Sequence, residues 1–233
     1  MKNNKINVCI IPARGGSKRI PNKNIKKFYG KPIINYTIDN VKRSKLFDKI
    51  VVSSDNLKIL KIAKQNNCLT HLRTAYFAND HIDTISVIAK VIKDLEKTHS
   101  IDRVCCVYPT SIFINKSDLK EAYKKLEKKN NYVFSAAKFS HPIQRSFFKK
   151  SNKIEMFDKK FFLKRTQDLK EFYYDAAQFY IGWKNSWLKK KILFDGPNKF
   201  IELEQNSFQD IDNPDDWQSA LKKWKLLNKD KNL

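Results

Sequence analysis

Glycine is scarce in this chain, with five residues in 233. That excludes a flexible glycine linker or a collagen-like repeat, and it makes the adjacent pair Gly15-Gly16 conspicuous. Cysteine is also sparse. Cys9, Cys68, Cys105 and Cys106 show neither metal-ligand spacing nor a disulfide framework. Three of them lie in apolar, strand-like runs, where small buried thiols are expected. No run of 18 apolar residues occurs, which excludes a membrane-spanning helix read from hydropathy. The opening MKNNKINVCIIPARGG carries an apolar stretch of only about six residues that runs into the glycine turn, unlike a signal peptide. A soluble cytoplasmic protein is expected, with no membrane partner.

Arginine is rare as well, seven residues against forty lysines, within a net charge of +23. The lysines are spread along the chain rather than blocked, so the charge reads as a compositional bias and not as a nucleic-acid surface. An anionic small-molecule substrate fits such a surface. Where lysine is the default cation, each arginine is more informative, because its planar fork does what an ammonium cannot.

What is present is core material: hydrophobic residues make up 41% and aromatic residues 12%. That suffices for one sizeable domain, 1–233, and no linker or internal repeat interrupts it. Apolar runs at Ile6–Ile11, Lys49–Ser53, Arg103–Tyr108 and Tyr132–Ala137 predict strands. Helical patterns fill about Pro32–Ser44, Leu57–Gln65, Asp83–Lys97, a segment from a Ser117 cap to Lys128, and Pro214–Leu227. Strand and helix in alternation predict an α/β fold with a mostly parallel sheet covered on both faces, whose ligand site lies beyond the carboxyl ends of the strands. The segment from about 139 to 175 has no period and is expected to be an inserted arm. Regular structure is expected to resume at Gln178, and Lys199–Leu203 is strand-like.

The densest chemistry follows the first strand. A glycine pair lets the backbone turn and aim its N–H groups at an anion. Arg14, Lys18, Arg19 and Lys23 then place four cations within ten residues. A nucleoside triphosphate carries about four negative charges, and phosphoryl chemistry needs that density of cations. Neither the GxxxxGK[ST] loop nor the dinucleotide fingerprint is present. Near the other end, Asp210 and Asp212 flank Ile211. On extended backbone their carboxylates point the same way, the donor set that a hydrated Mg2+ completes with substrate phosphates. Asn213-Pro214 followed by Asp215 and Asp216 reads as a helix start, with Asn213 or Asp212 as the cap.

The loop ARGGSKRIPNKN, residues 13–24, resembles the nucleotide loop of the sugar-acid cytidylyltransferases, the family that makes CMP-sialic acids and CMP-ketodeoxyoctonate. The late Asp-Ile-Asp resembles that family's metal pair. The resemblance implies a Rossmann-like sheet, CTP as the nucleotide, Mg2+ as the cofactor and a homodimer formed through the arm. Ala13, Gly15, Gly16, Ser17 and Asn24 would then belong to the nucleotide loop. Leu72-Arg73-Thr74 with Asn79-Asp80 is similar to the family's LRP…SD segment and places Arg73 near the nucleotide, with Thr84 following. Tyr108, Pro109 and Thr110 match a strand tip facing base and ribose. Pro142-Ile143-Gln144-Arg145, Arg165-Thr166-Gln167-Asp168-Leu169 and Asp175-Ala176-Ala177-Gln178-Phe179-Tyr180 are similar to a branch that acts on pseudaminic acid, with Thr166 and Ala177 in place of serine and glycine. Gln144, Arg145, Arg165, Gln167, Asp168, Asp175 and Gln178 become candidates for the acid-sugar site.

The implied reaction is attack of the sugar's anomeric hydroxyl on the α-phosphate of CTP. Arg14, Lys18 and Lys23 would stabilise charge, and Asp210 and Asp212 would hold metal. The sugar would be a nonulosonic acid, with N-acetylneuraminic or legionaminic acid as alternatives. His71, His81, His99 and His141 are scattered, and none stands out as a general base. A rival of another class, a basic protein that binds nucleic acid without catalysis, lacks a basic cluster.

Overall fold

A computed structural model describes residues 5–79 and 81–228. The chain runs β1 (Ile6–Pro12), a short antiparallel pair β2 (Lys27–Phe28) and β3 (Lys31–Pro32), α1 (Ile33–Ser44), β4 (Lys49–Ser54), α2 (Leu57–Gln65), β5 (Leu69–Leu72), α3 (Ala75–Ala78) and α4 (Thr84–Leu95). It continues β6 (Ile101–Val107), α5 (Lys116–Lys125), β7 (Tyr132–Lys138), β8 (Phe147–Lys150), β9 (Lys153–Met156), β10 (Tyr173–Trp183), α6 (Lys184–Leu188), β11 (Lys199–Glu202) and α7 (Pro214–Leu227).

Seven strands form one sheet in the order β11-β7-β10-β6-β1-β4-β5. The pairs β1–β4, β1–β6, β4–β5 and β11–β7 are parallel, and β10 runs antiparallel to both of its neighbours. Alternation along β1 explains the layering. Val8 and Ile10 face a layer with Ile88 and Ile92 of α4 and Trp187 of α6, whereas Cys9 and Ile11 face Ile34, Ile38 and Ile59 of α1 and α2. The chain builds outward from β1 through β4 to β5, then returns to the other side of β1 as β6. The carboxyl ends of β1 and β6 therefore open at a topological switch point, where α/β sheets bind ligands.

A third cluster positions the far end of the chain. Phe28 packs edge-on against Trp217 and Trp224, and Tyr36 packs against Trp224 with centroids 4.8 Å apart. Edge-to-face packing of this kind adds about 0.5–1.5 kcal/mol per pair beyond area burial. It clamps α7 against the segment that follows the glycine pair.

Several expectations are corrected. The α5 cap is Asn115, whose side chain accepts from Asp118 N, and not Ser117. Regular structure resumes at Tyr173, five residues before Gln178. The edge strand β5 and the short helix α6 carry no periodic pattern and were not expected. The arm holds the β8–β9 hairpin and short 3₁₀ turns.

Candidate active site

The first half of the site is the turn after β1. Ala13 is fully buried and its N–H donates to Ser53 O at 2.9 Å, fastening the turn to β4. Gly15 N donates to Asp55 Oδ1 at 2.9 Å, and a Cβ on Gly15 would lie 2.8 Å from Asn56 Cβ. This corrects one expectation: Gly15 is needed for close approach to the start of α2, and its N–H is held by a carboxylate instead of being offered to an anion. Asn24 is buried and its Nδ2 donates to Arg14 O at 2.8 Å, bracing the loop from within. Arg14, Ser17, Lys18, Arg19, Lys23 and Asn24 line a cleft of about 440 Å³, whereas Ala13, Gly15 and Gly16 are not among its lining residues. A cavity of that size suits a nucleotide-sized ligand.

The second half comes from the opposite end of the sequence. Asn213 caps α7 in a capping box: its side chain accepts from Asp216 N, and Asp216 Oδ2 accepts from Asn213 N at 2.9 Å and from Asp212 N at 2.8 Å. Ile211 is fully buried while Asp210 and Asp212 both line the cleft. Asp212 Oδ2 accepts from Arg19 Nη2 at 2.8 Å, and Asp212 Oδ1 accepts from Lys23 Nζ at 3.1 Å. Lys23 also donates to Ile211 O at 2.5 Å. Burial works against the charge on Asp212, but Lys23 and Arg19 outweigh it and hold the carboxyl below its usual range. Asp210 feels Lys23 too, but less than it feels burial. Burial, reinforced by the Asp212 carboxylate, pushes it up to about 6.

The middle of the chain supplies the cleft's inner wall. Arg73, Thr84, Tyr108, Pro109, Thr110 and Asp175 all line it. Arg73 Nε donates to Ser53 Oγ and Nη2 to Ser53 O, both at 2.9 Å, and burial pulls its guanidinium down to about 10. Thr37 Oγ1 donates to Pro109 O at 2.9 Å, fixing the tip after β6. Thr84 Oγ1 and Tyr108 Oη lie 3.2 Å apart. Burial pushes the Tyr108 phenol up to about 12, so it stays protonated. Tyr180 Oη donates to Asp175 Oδ2 at 2.5 Å and Ala177 N donates to Asp175 Oδ1 at 2.9 Å. Ala177 sits at φ 51°, where the register of β10 against β7 shifts. A residue that the resemblance placed opposite a glycine is thus in the left-handed region that favours glycine.

The other sugar candidates are elsewhere in this chain. Gln178 is buried, with its Nε2 donating to Ala176 O. Gln144 is buried under the arm and donates to Lys170 O at 2.7 Å. Arg145 donates to Lys164 O, and Arg165 pairs with Asp168 on the arm's exposed face. Exposed Gln167 lies beside that pair. None of these lines the cleft, and Asp80 lies outside the described residues. Ser53, Asp55 and Asn56 shape the loop from behind. They close β4 as Ser-Ser-Asp-Asn, a tip that sequence reasoning places at the site without giving its residues individual roles.

No group of three or more His, Cys, Asp or Glu residues is placed to hold a metal among the described residues. Asp210 and Asp212 are a pair, and two carboxylates with substrate phosphates and water fit Mg2+ rather than an all-protein cage.

Cations on a glycine turn, facing carboxylates across the switch point of a parallel sheet, define a nucleotide-handling α/β enzyme. The chain belongs to the cytidylyltransferase family, whose model matches residues 8–227. It is 40% identical over 218 residues to the pseudaminic acid cytidylyltransferase of Campylobacter jejuni subsp. jejuni, covering 92% of this chain and 94% of that one. It is 30% identical over 223 residues to the CMP-N,N'-diacetyllegionaminic acid synthase of Legionella pneumophila subsp. pneumophila, covering 90% and 92%. Among solved structures, CMP:2-keto-3-deoxy-manno-octonic acid synthetase complexed with CTP superposes with a TM-score of 0.68 at 14% identity, covering 97% of this chain and 99% of that one. That likeness supports the fold.

Proposed function

We propose that this enzyme transfers CMP from CTP to the anomeric hydroxyl of a nonulosonic acid, with pseudaminic acid as the sugar, and releases pyrophosphate. The observation that supports the reading is the meeting of Arg19 and Lys23 with Asp212, which brings cations of the glycine turn and a late carboxylate onto one cleft. The higher identity to the pseudaminic acid relative than to the legionaminic acid relative favours that sugar. Arg14, Lys18 and Lys23 are assigned to the triphosphate, and Arg73, Tyr108 and Thr110 to the nucleoside.

Under this reading Asp210 and Asp212 would hold Mg2+, which supplies Lewis-acid neutralisation of phosphate charge. Arg14 and Lys23 orient the α-phosphate for in-line attack by the sugar hydroxyl, and the new P–O bond forms as the bond to pyrophosphate breaks. The buried Tyr108 stays protonated on the inner wall, and the Tyr180 hydroxyl is committed to Asp175 Oδ2. The arm exposes Phe147, Phe157, Phe162 and Leu163, and apolar exposure of this kind marks an interface. We assign it to a homodimer, in which Arg145, Arg165, Gln167 and Asp168 would approach the acid sugar bound by a second copy. The enzyme would act in the cytoplasm and feed cell-surface glycan or flagellin glycosylation.

The test is CTP-dependent pyrophosphate release with pseudaminic, legionaminic and N-acetylneuraminic acids, for wild type and Asp212→Ala, with and without chelator. Pseudaminic acid should give the highest kcat/KM, chelation should abolish turnover, and Mg2+ should restore it. Faster turnover of either other sugar overturns the sugar assignment. Full activity of the folded variant overturns the metal assignment.

A further inference from the structure

His71 is isolated in the sequence, yet it is the centre of a four-residue hydrogen-bond chain. His71 Nδ1 lies 3.0 Å from Ser53 Oγ, and His71 Nε2 lies 3.0 Å from Asp94 Oδ2. Ser53 Oγ in turn accepts from Arg73 Nε at 2.9 Å. The register explains the juxtaposition: Ser53 of β4 and His71 of β5 are direct partners in the parallel pair, and α4 lays Asp94 against that edge. Asp94 is itself held by Lys90 Nζ at 2.6 and 2.8 Å and by Lys97 at 3.4 Å, so its carboxylate stays charged.

Arg73 Nε can only donate, so the Ser53 oxygen accepts from it. In the tautomer of His71 that donates Nε2–H to Asp94, Nδ1 is an acceptor and the Ser53 hydroxyl donates to it. Serine, histidine and acid in this order resemble a hydrolytic triad in outline. Ser53 is fully buried and does not line the cleft, so it cannot meet a substrate. What the chain ends on is Arg73, a buried cation that lines the cleft.

We infer that His71, backed by Asp94, is a positioning residue for Arg73: it locks the Ser53 hydroxyl in the rotamer that accepts from Arg73 Nε and thereby fixes the guanidinium plane toward the nucleotide. The inference rests on the proposed function for its substrate. Without His71 the hydroxyl is released to rotate, and Arg73, whose side-chain hydrogen bonds among the described residues both go to Ser53, loses one of two anchors. A neutral hydrogen bond is worth about fivefold in an equilibrium, and the effect should fall on the ligand that Arg73 touches.

The experiment compares wild type, His71→Phe, His71→Asn, Ser53→Ala and the double variant His71→Phe/Ser53→Ala in steady state with CTP and sugar varied separately. NMR follows the Arg73 Nε–H resonance, and thermal melts confirm folding. His71→Phe is expected to raise the KM for CTP about fivefold or more, leave the KM for the sugar unchanged, and shift the Arg73 Nε–H signal. His71→Asn keeps an acceptor near the Nδ1 position and should recover most of the loss. The double variant should be no worse than Ser53→Ala alone, because both act through one hydroxyl. A folded His71→Phe with unchanged KM for CTP and an unmoved Arg73 signal overturns the inference, as does an additive double variant. If wild type turns over no CTP, the proposed function fails instead. The Arg73 resonance then decides the inference alone: moved in His71→Phe it stands, unmoved it falls.

Discussion

Lys23 and Asp212 are separated by 189 positions in the chain and meet at 3.1 Å between Nζ and Oδ1. The contact is possible because the aromatic clamp of Phe28, Trp217 and Trp224 seats α7 on the segment after the glycine turn. Packing thus sets the distance between the two halves of the cleft, and the ion pair reports that distance.

Asp212→Asn should separate catalysis from folding. Its carboxylate and Arg19 are partly exposed, and exposed ion pairs contribute about 0–1 kcal/mol. The melting temperature should therefore move by a few degrees at most, by the usual scaling for a chain of this size. Turnover with CTP should fall by about 100-fold or more, the scale of losing a group that stabilises transition-state charge. A loss of activity matched by a comparable loss of stability would show that Asp212 is structural.

The two glycines should behave differently. Alanine at 15 must displace Asn56, which also caps α2, so Gly15→Ala should destabilise by about 1–3 kcal/mol and raise the KM for CTP. Nothing lies within 4 Å of a Cβ on Gly16, so Gly16→Ala should fold normally. Denaturant melts of the two variants side by side check this.

Ala177→Gly should stabilise. The left-handed backbone at φ 51° costs a non-glycine residue about 1–2 kcal/mol, and the extra freedom of glycine in the unfolded chain returns about 0.4–1 kcal/mol of that. A net gain of up to about 1 kcal/mol is expected in urea unfolding, with the Tyr180–Asp175 contact retained.

Asp94 predicts an acid limb in the stability curve. Hydrogen bonds from Lys90 and His71 hold its carboxyl well below the usual range. A depressed carboxyl contributes stability that is present in full above its unfolded value, near 3.9, and is lost as pH falls further. Asp94→Asn should be less stable than wild type at pH 7, and the gap should narrow between about pH 4 and 2. A gap that is constant with pH would mean the loss is packing alone.

Much of the fold was legible because buried parallel strands are short apolar runs that end in turn residues, as Ile6–Pro12 and Lys49–Ser54 do. Leu69–Leu72 was not legible: an edge strand with only His71 turned inward shows no apolar pattern. The direction of β10 was equally hidden, since alternation along Tyr173–Trp183 is the same whichever way its neighbours run. Within the site, Arg14, Lys18, Lys23 and the Asp210–Asp212 pair could be read from charge density and spacing. The Ser-Ser-Asp tip could be read as a strand end near the site, but the roles of Asp55 and Ser53 could not, because their work is to hold other residues.

The opposite direction of β10 has a consequence for assembly. β6 and β7 follow one another in synthesis but are not neighbours; a gap one strand wide separates them until Tyr173–Trp183 arrives. In the meantime both present unpaired edges, which invite pairing between chains. Late insertion of that strand, after the whole arm has been made, is therefore the step at which nascent or refolding molecules are most exposed to aggregation.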